Sequence, residues 1–117
     1  MEQLRASIRT VPDFPKPGIQ FRDITTLLAD PAALRTSVSL LADHVRASGA
    51  NAVAGMEARG FIFGAAVAIR AGLGFTPIRK PGKLPVETVG VEYELEYGTD
   101  RLELDPSGLR HGMRVAL

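Results

Sequence analysis

Asn51-Ala52-Val53-Ala54-Gly55-Met56-Glu57-Ala58-Arg59-Gly60-Phe61 reads as a short buried strand, a tight turn carrying one acid and one arginine, and the start of an apolar helix. In an open α/β sheet, ligands bind at the carboxyl end of a strand, beside a helix N-terminus. An arginine there suits a phosphate or pyrophosphate, because its planar fork bonds two oxygens at once. A Glu and an Arg in such a turn are more often simply solvated, and this segment alone leaves both readings open.

On the N-terminal side, Asp30-Pro31 marks a helix start, an N-cap residue followed by proline at the first helical position. Leu34, Val38, Leu41 and Val45 then share one face, and Ser48-Gly49 ends the helix. A strand over 50–55 follows, then a helix over 61–71 that is apolar nearly all round and is expected to be buried against the sheet. Gly72 is its C-cap, and 75–79 is the next strand. Strand, helix and strand with short connections make one βαβ unit, a parallel pair with a right-handed crossover.

Further out, residues 2–9 are predicted as a short amphipathic helix, with Leu4 and Ile8 one turn apart. The stretch 11–18 holds Pro12, Pro15, Pro17 and Gly18 and is expected as a stiffened loop without regular structure. Residues 19–24 can form a short strand or its edge. Residues 79–85 make a basic loop with two prolines. Residues 91–97 alternate apolar and acidic, as a half-exposed antiparallel strand does. Gly98-Thr99-Asp100 is expected as the turn, with Leu102 and Leu104 on the return strand, so that a hairpin forms an arm over one face. Arg114-Val115-Ala116-Leu117 begins another buried strand.

The composition is that of a globular chain, with 45% hydrophobic residues over 117 positions. Its 14 basic and 13 acidic residues are interspersed, which leaves no footprint for nucleic acid or an anionic membrane. With no cysteine, disulfides, thiolate metal sites and a cysteine nucleophile are excluded. His44 and His111 stand apart in the sequence, which argues against a histidine metal site or a Ser-His pair. The N-terminus shows no signal-peptide apolar region, so a cytoplasmic location is the default expectation.

Five pieces together resemble the adenine phosphoribosyltransferases, type I phosphoribosyltransferases of purine salvage. They are Pro12-Asp13-Phe14-Pro15 with Pro17-Gly18; Phe21-Arg22-Asp23-Ile24-Thr25; Ala58-Arg59-Gly60-Phe61; Arg79-Lys80 with Gly82-Lys83-Leu84-Pro85; and Tyr93-Glu94-Leu95-Glu96-Tyr97-Gly98. Each is weak alone; in register over nearly the whole chain they are specific to the adenine branch. The resemblance implies an α/β fold of the type I phosphoribosyltransferase kind: a parallel sheet flanked by helices, an antiparallel hairpin lid and a small N-terminal hood. Residues 1–30 would be the base-binding segment, 31–79 the βαβ core, 80–105 the flexible basic loop and hairpin, and 114–117 the start of the next core strand.

The implied reaction converts adenine and phosphoribosyl pyrophosphate to AMP and pyrophosphate, with magnesium carried by the phosphates and no dedicated protein metal site. Adenine would stack on Phe21 while backbone groups of Gln20 and Arg22 read its edge. Ala58, Arg59, Lys80, Lys83 and Tyr97 would hold the pyrophosphate and its sugar. Ala58 lies in a turn where the family commonly uses a cis non-proline bond. Glu96 is the implied acid/base for a purine nitrogen; the plain alternative is that Glu92, Glu94 and Glu96 share one solvated strand face. A homodimer is also implied, with the helix at 61–71 near the interface.

The family's acidic pair and its Thr/Gly-rich 5-phosphate loop are expected directly after the strand that begins at 114. The resemblance therefore covers the N-terminal two-thirds of the fold and is truncated on the C-terminal side. A 117-residue chain by itself is expected to be inactive and poorly stable, with an open apolar edge at 114–117. Two other readings stay open. One is a non-catalytic module that binds a purine or nucleotide for regulation; the other is an unrelated sugar-phosphate binder, against which the base platform at Phe21 argues.

Overall fold

The computed structural model describes residues 1–117 and divides into two units, Met1–Leu40 and Leu41–Leu117. In the first unit, helix α1 (Glu2–Ala6) is followed by strands β1 (Arg9–Pro12) and β2 (Gln20–Asp23), helix α2 (Thr25–Ala29) and the first turns of α3 (Pro31–Ala47). The helix predicted over 2–9 is shorter, because Ser7 closes it by bonding back to Gln3 O at 2.9 Å and the chain then turns to pair with β2. The pairing is antiparallel, with Arg9 opposite Asp23 and Pro12 opposite Gln20. Regular structure therefore reaches into the proline-rich stretch. Pro12 is tolerated because it ends an edge strand, where a missing N–H costs little. Asp30 caps α3 as expected, its carboxylate accepting from Ala32 N at 3.0 Å and Ala33 N at 3.3 Å.

In the second unit, β3 (Ala52–Met56), α4 (Arg59–Ala71) and β4 (Phe75–Arg79) form the βαβ core, and β3 and β4 pair in parallel. Ala52 through Gly55 are all buried, as a strand flanked on both sides and covered on both faces demands. Gly72 ends α4 in the left-handed conformation, with φ +74°. Only one stripe of α4, around Val67 and Ala68, is buried; Ile62 is 44% and Ile69 81% exposed. The expectation of burial all round is thus corrected, because a helix lying on a sheet presents only part of its circumference to it.

Strands β5 (Val89–Leu95) and β6 (Gly98–Leu104) make the hairpin, a 3-10 turn spans Pro106–Gly108, and β7 (Val115–Ala116) pairs in parallel with β3. The order across the sheet is β5-β6-β4-β3-β7. The hairpin is therefore a continuation of the main sheet at one edge, not an arm over a face. It joins β4 through Ile78 opposite Leu104 and Arg79 opposite Glu103. Its turn also differs from the sequence reading. Leu95 pairs with Gly98, so the two-residue tip is Glu96-Tyr97, and Gly98 to Asp100 belong to the strand. Gly98 has φ +137°, a backbone open to glycine and little else, and so marks the residue after the tip. No helix is long and apolar enough to cross a membrane.

Candidate active site

The residues implied for the base lie in the first unit. Phe21 is half-buried, its ring set edge-on to Phe14 with centroids 5.1 Å apart. Gln20 and Arg22 are exposed and two positions apart on β2, so their backbone groups point to the same strand edge. The Arg22 side chain bonds to the Thr10 hydroxyl across the pair of strands. The loop between the strands is closed internally: Asp13 accepts from Gly18 N at 2.9 Å, and Phe14 N donates to Ile19 O at 3.2 Å. The Phe14–Pro15 bond is cis.

Asp23, to which the sequence reading gave no role, fixes the end of this strand. Its buried carboxylate accepts from Thr25 Oγ1 at 2.7 Å, Thr25 N at 2.9 Å and Arg9 Nε at 3.0 Å. The Thr25 hydroxyl, then the Arg9 guanidinium and the Thr25 amide, lower its pKa from the ordinary 3.8 to about 2. Its contribution to stability is therefore complete above the unfolded value and is lost as pH falls through the folded one. The stability advantage of the native chain over Asp23→Asn should shrink between about pH 4 and pH 2, read from urea midpoints. A constant difference over that range would remove Asp23 from the acid response.

The residues implied for pyrophosphate lie in the second unit. The Glu57–Ala58 bond is cis, and Arg59 is the first residue of α4, exposed and without a side-chain hydrogen bond or ion pair. Gly55 and Gly60 nearly touch beneath this turn: a Cβ on Gly55 would lie 2.7 Å from Gly60 O. Glu57 is a structural acid. Its Oε1 accepts from Lys80 N at 2.8 Å and Arg79 Nε at 3.3 Å, which ties the end of β4 to the turn. The Lys80 amide, chiefly, and Arg79 hold the Glu57 carboxyl below its ordinary pKa. Arg79 also lies 5.8 Å over the Phe61 ring.

Lys80 is already partnered. Its ammonium is paired with Asp100 on β6 and donates to Tyr93 Oη on β5 at 2.9 Å. These two groups, Asp100 first, hold Lys80 above the usual ammonium range, and Lys80 in turn holds Asp100 below the carboxylate range. The Tyr93 hydroxyl also donates to Asp100 Oδ2 at 3.1 Å. Glu103 pairs with Arg101 at 2.9 Å and accepts from Gly82 N at 3.2 Å, which pins the basic loop just before Lys83. Lys83 itself is exposed and makes no ion pair. Glu96 and Tyr97 occupy the exposed hairpin tip, Tyr97 being 97% exposed. Glu96 thus does not share a strand face with Glu92 and Glu94.

A hollow of about 420 Å³ opens beside the turn, lined by Gly55, Met56, Glu57, Arg59, Gly60 and Phe63 among others. No three His, Asp or Glu side chains gather where they could hold a metal ion. The sequence reading missed Glu57, Tyr93, Asp100 and Asp23 as organising residues; the first three are held by partners 20 or more positions away or across a hairpin, which local patterns do not reveal.

No protein-family profile matches the chain. It is 64% identical over 116 residues to the adenine phosphoribosyltransferase of Novosphingobium aromaticivorans, covering 99% of this chain and 65% of that protein. The chain thus spans just under two thirds of the length of this curated relative. The crystal structure of adenine phosphoribosyltransferase from Thermoanaerobacter pseudethanolicus superposes with a TM-score of 0.88 at 51% identity, over 97% of this chain and 66% of that one. The Saccharomyces cerevisiae enzyme, solved with an imino-altritol bisphosphate and adenine, gives a TM-score of 0.90 at 32% identity, over 97% of this chain and 67% of that one. With the parallel β3–β4 core, the cis turn before Arg59 and the hairpin at the sheet edge, these likenesses lead to one conclusion: the chain belongs to the adenine phosphoribosyltransferase family.

Proposed function

We propose that this chain supplies the base-binding and pyrophosphate-binding parts of an enzyme that makes AMP and pyrophosphate from adenine and phosphoribosyl pyrophosphate. The observation that carries the reading is the turn at 57–59, where an arginine without any partner opens a helix in a chain 64% identical to a named family member. As pyrophosphate leaves, positive charge develops on the sugar and negative charge on the leaving group. Arg59 meets that negative charge with fixed donors, aided by the Ala58 turn, Lys83 and Tyr97. Lys80 adds a cation at the same sheet edge, one whose charge is matched by Asp100.

In the segment 1–30, Phe21 is assigned as the stacking platform, with the backbone of Gln20 and Arg22 reading the base. Glu96 at the hairpin tip is assigned as the group that exchanges a proton with a purine nitrogen, and the hairpin as the lid that excludes water. The protein offers no cage for magnesium. The cation is therefore assigned to the substrate's phosphate oxygens, where it would offset their charge. The exposed Ile62 and Ile69 of α4 support a homodimer, and the enzyme is assigned to the cytoplasm.

AMP formation tests the reading, with adenine, phosphoribosyl pyrophosphate and magnesium supplied and hypoxanthine as the control base. It is measured on the 117-residue chain and on the same chain extended to the length of its relatives. Turnover with adenine and not with hypoxanthine is expected from the extended chain. A folded, extended chain that binds AMP without turnover would favour the regulatory module instead.

A further inference from the structure

We propose that Lys80 is a positioning residue that tethers the hairpin to the end of β4 through Asp100 and Tyr93, and that it is not a ligand of the pyrophosphate. The inference rests on the reading above that the hairpin tip takes part in the reaction.

The backbone attachment of the hairpin to the rest of the sheet is short. Only Ile78–Leu104 and Arg79–Glu103 pair β4 with β6, while the arms run seven residues each. At about 3.3 Å per residue, the tip stands on the order of 16 Å beyond Glu103. A small rotation at a two-pair base therefore becomes a large displacement of Glu96 and Tyr97. Asp100 lies three residues out from Glu103, and Tyr93 is directly opposite it in the β5–β6 register. Both present their polar groups to one ammonium, and the Tyr93 hydroxyl bonds the same carboxylate oxygen that Lys80 holds. The Lys80 main chain is in turn fixed by Glu57 at 2.8 Å. Lys80 thus links the turn before Arg59 to the middle of the hairpin, at the point where the backbone ladder has stopped.

The same geometry argues against a ligand role. Two of the three ammonium donors are spent. Transfer of Lys80 to a phosphate would leave Asp100 without its cation beside an incoming polyanion. Arg59 and Lys83 carry no such partner.

Two measurements decide. On the 117-residue chain, Lys80→Met and Asp100→Asn should each speed amide exchange over 93–100 by about three- to fivefold, the range expected for a part-exposed pair. The amides of β3 serve as the internal reference. The double variant should be no faster than either single, because the two changes remove one interaction. Additive effects, or none, would overturn the tether. On the extended enzyme, both variants should lower kcat about tenfold and leave KM for phosphoribosyl pyrophosphate within about twofold, and the exchanged pair Lys80→Asp with Asp100→Lys should recover part of kcat. A KM raised tenfold by Lys80→Met with kcat preserved would make Lys80 a ligand and sink the proposal. Glu96→Gln run alongside separates the two ideas: unchanged turnover in that variant would refute the role of the tip, while the exchange data would still judge the tether.

Discussion

Arg59→Ala in the extended enzyme is expected to lower kcat/KM for phosphoribosyl pyrophosphate by about 10²–10³-fold, the usual cost of removing one fixed donor to a developing anion. The size of the effect follows from what the neighbouring cations are doing. Arg79 is engaged with Glu57 and the Phe61 ring, Lys80 with Asp100 and Tyr93, and Arg101 with Glu103. Arg59 alone stands at the head of α4 with its guanidinium uncommitted in the turn that the strand, the cis bond and the helix start define. Because no internal contact is lost, stability should change by less than about 0.5 kcal/mol. Arg59→Lys should recover only part of the activity, since an ammonium cannot bridge two phosphate oxygens as the planar fork does. Steady-state kinetics with varied phosphoribosyl pyrophosphate checks this. A loss below about threefold for the alanine variant would remove Arg59 from the reacting centre.

Gly55→Ala is expected to destabilise the chain by roughly 2–3 kcal/mol, the upper part of the range for overpacking a close-packed site. At this chain length that corresponds to a fall in Tm of about 10 °C. The added methyl would stand 2.7 Å from Gly60 O and 3.1 Å from the Phe75 ring. The ring can turn aside, but the Gly60 oxygen is main chain at the first turn of α4, so relief requires β3 and the helix start to part. That movement also shifts Arg59, and the variant should lose pyrophosphate affinity along with stability. Gly74→Ala is the control, because its methyl would meet nothing within 4 Å. It should lie within about 0.5 kcal/mol of the native chain, as a substitution that adds no clash and slightly restricts the unfolded state. Thermal melts of the two variants check the pair. Equal melting temperatures would show that the strand–helix approach at Gly55 is not close packed.

Much of the core was legible because it depends on local patterns. Asp30-Pro31 starts α3, Gly72 ends α4, and the apolar runs at 52–56 and 75–79 pair in parallel, each for reasons contained within a few residues. Where the sequence reading failed, the competing influence came from elsewhere in the chain. The helix at the N-terminus stops early because β2 recruits residues from Arg9 onward, and Pro12 is drawn into an edge strand by the same pairing. The hairpin tip falls at Glu96-Tyr97 because the cross-strand register sets Leu95 against Gly98; a glycine in the sequence marks a turn without saying on which side of it the turn lies. Helix α4 is apolar around most of its circumference, yet one flank meets the sheet and the other exposes Ile62 and Ile69.

The candidate site divides in the same way. Sequence alone determined which residue types stand at the turn, the basic loop, the base platform and the hairpin, because these occupy short contiguous motifs whose order and spacing carry the family likeness. Tertiary structure alone decided which of those charges are committed. Glu57 reaches Lys80 and Arg79 across more than 20 residues, Lys80 is held by Asp100 and Tyr93, and Arg59 and Lys83 are left without partners. Whether a charge is spent or free depends on distances between side chains far apart in the chain, and those distances exist only once the strands have paired.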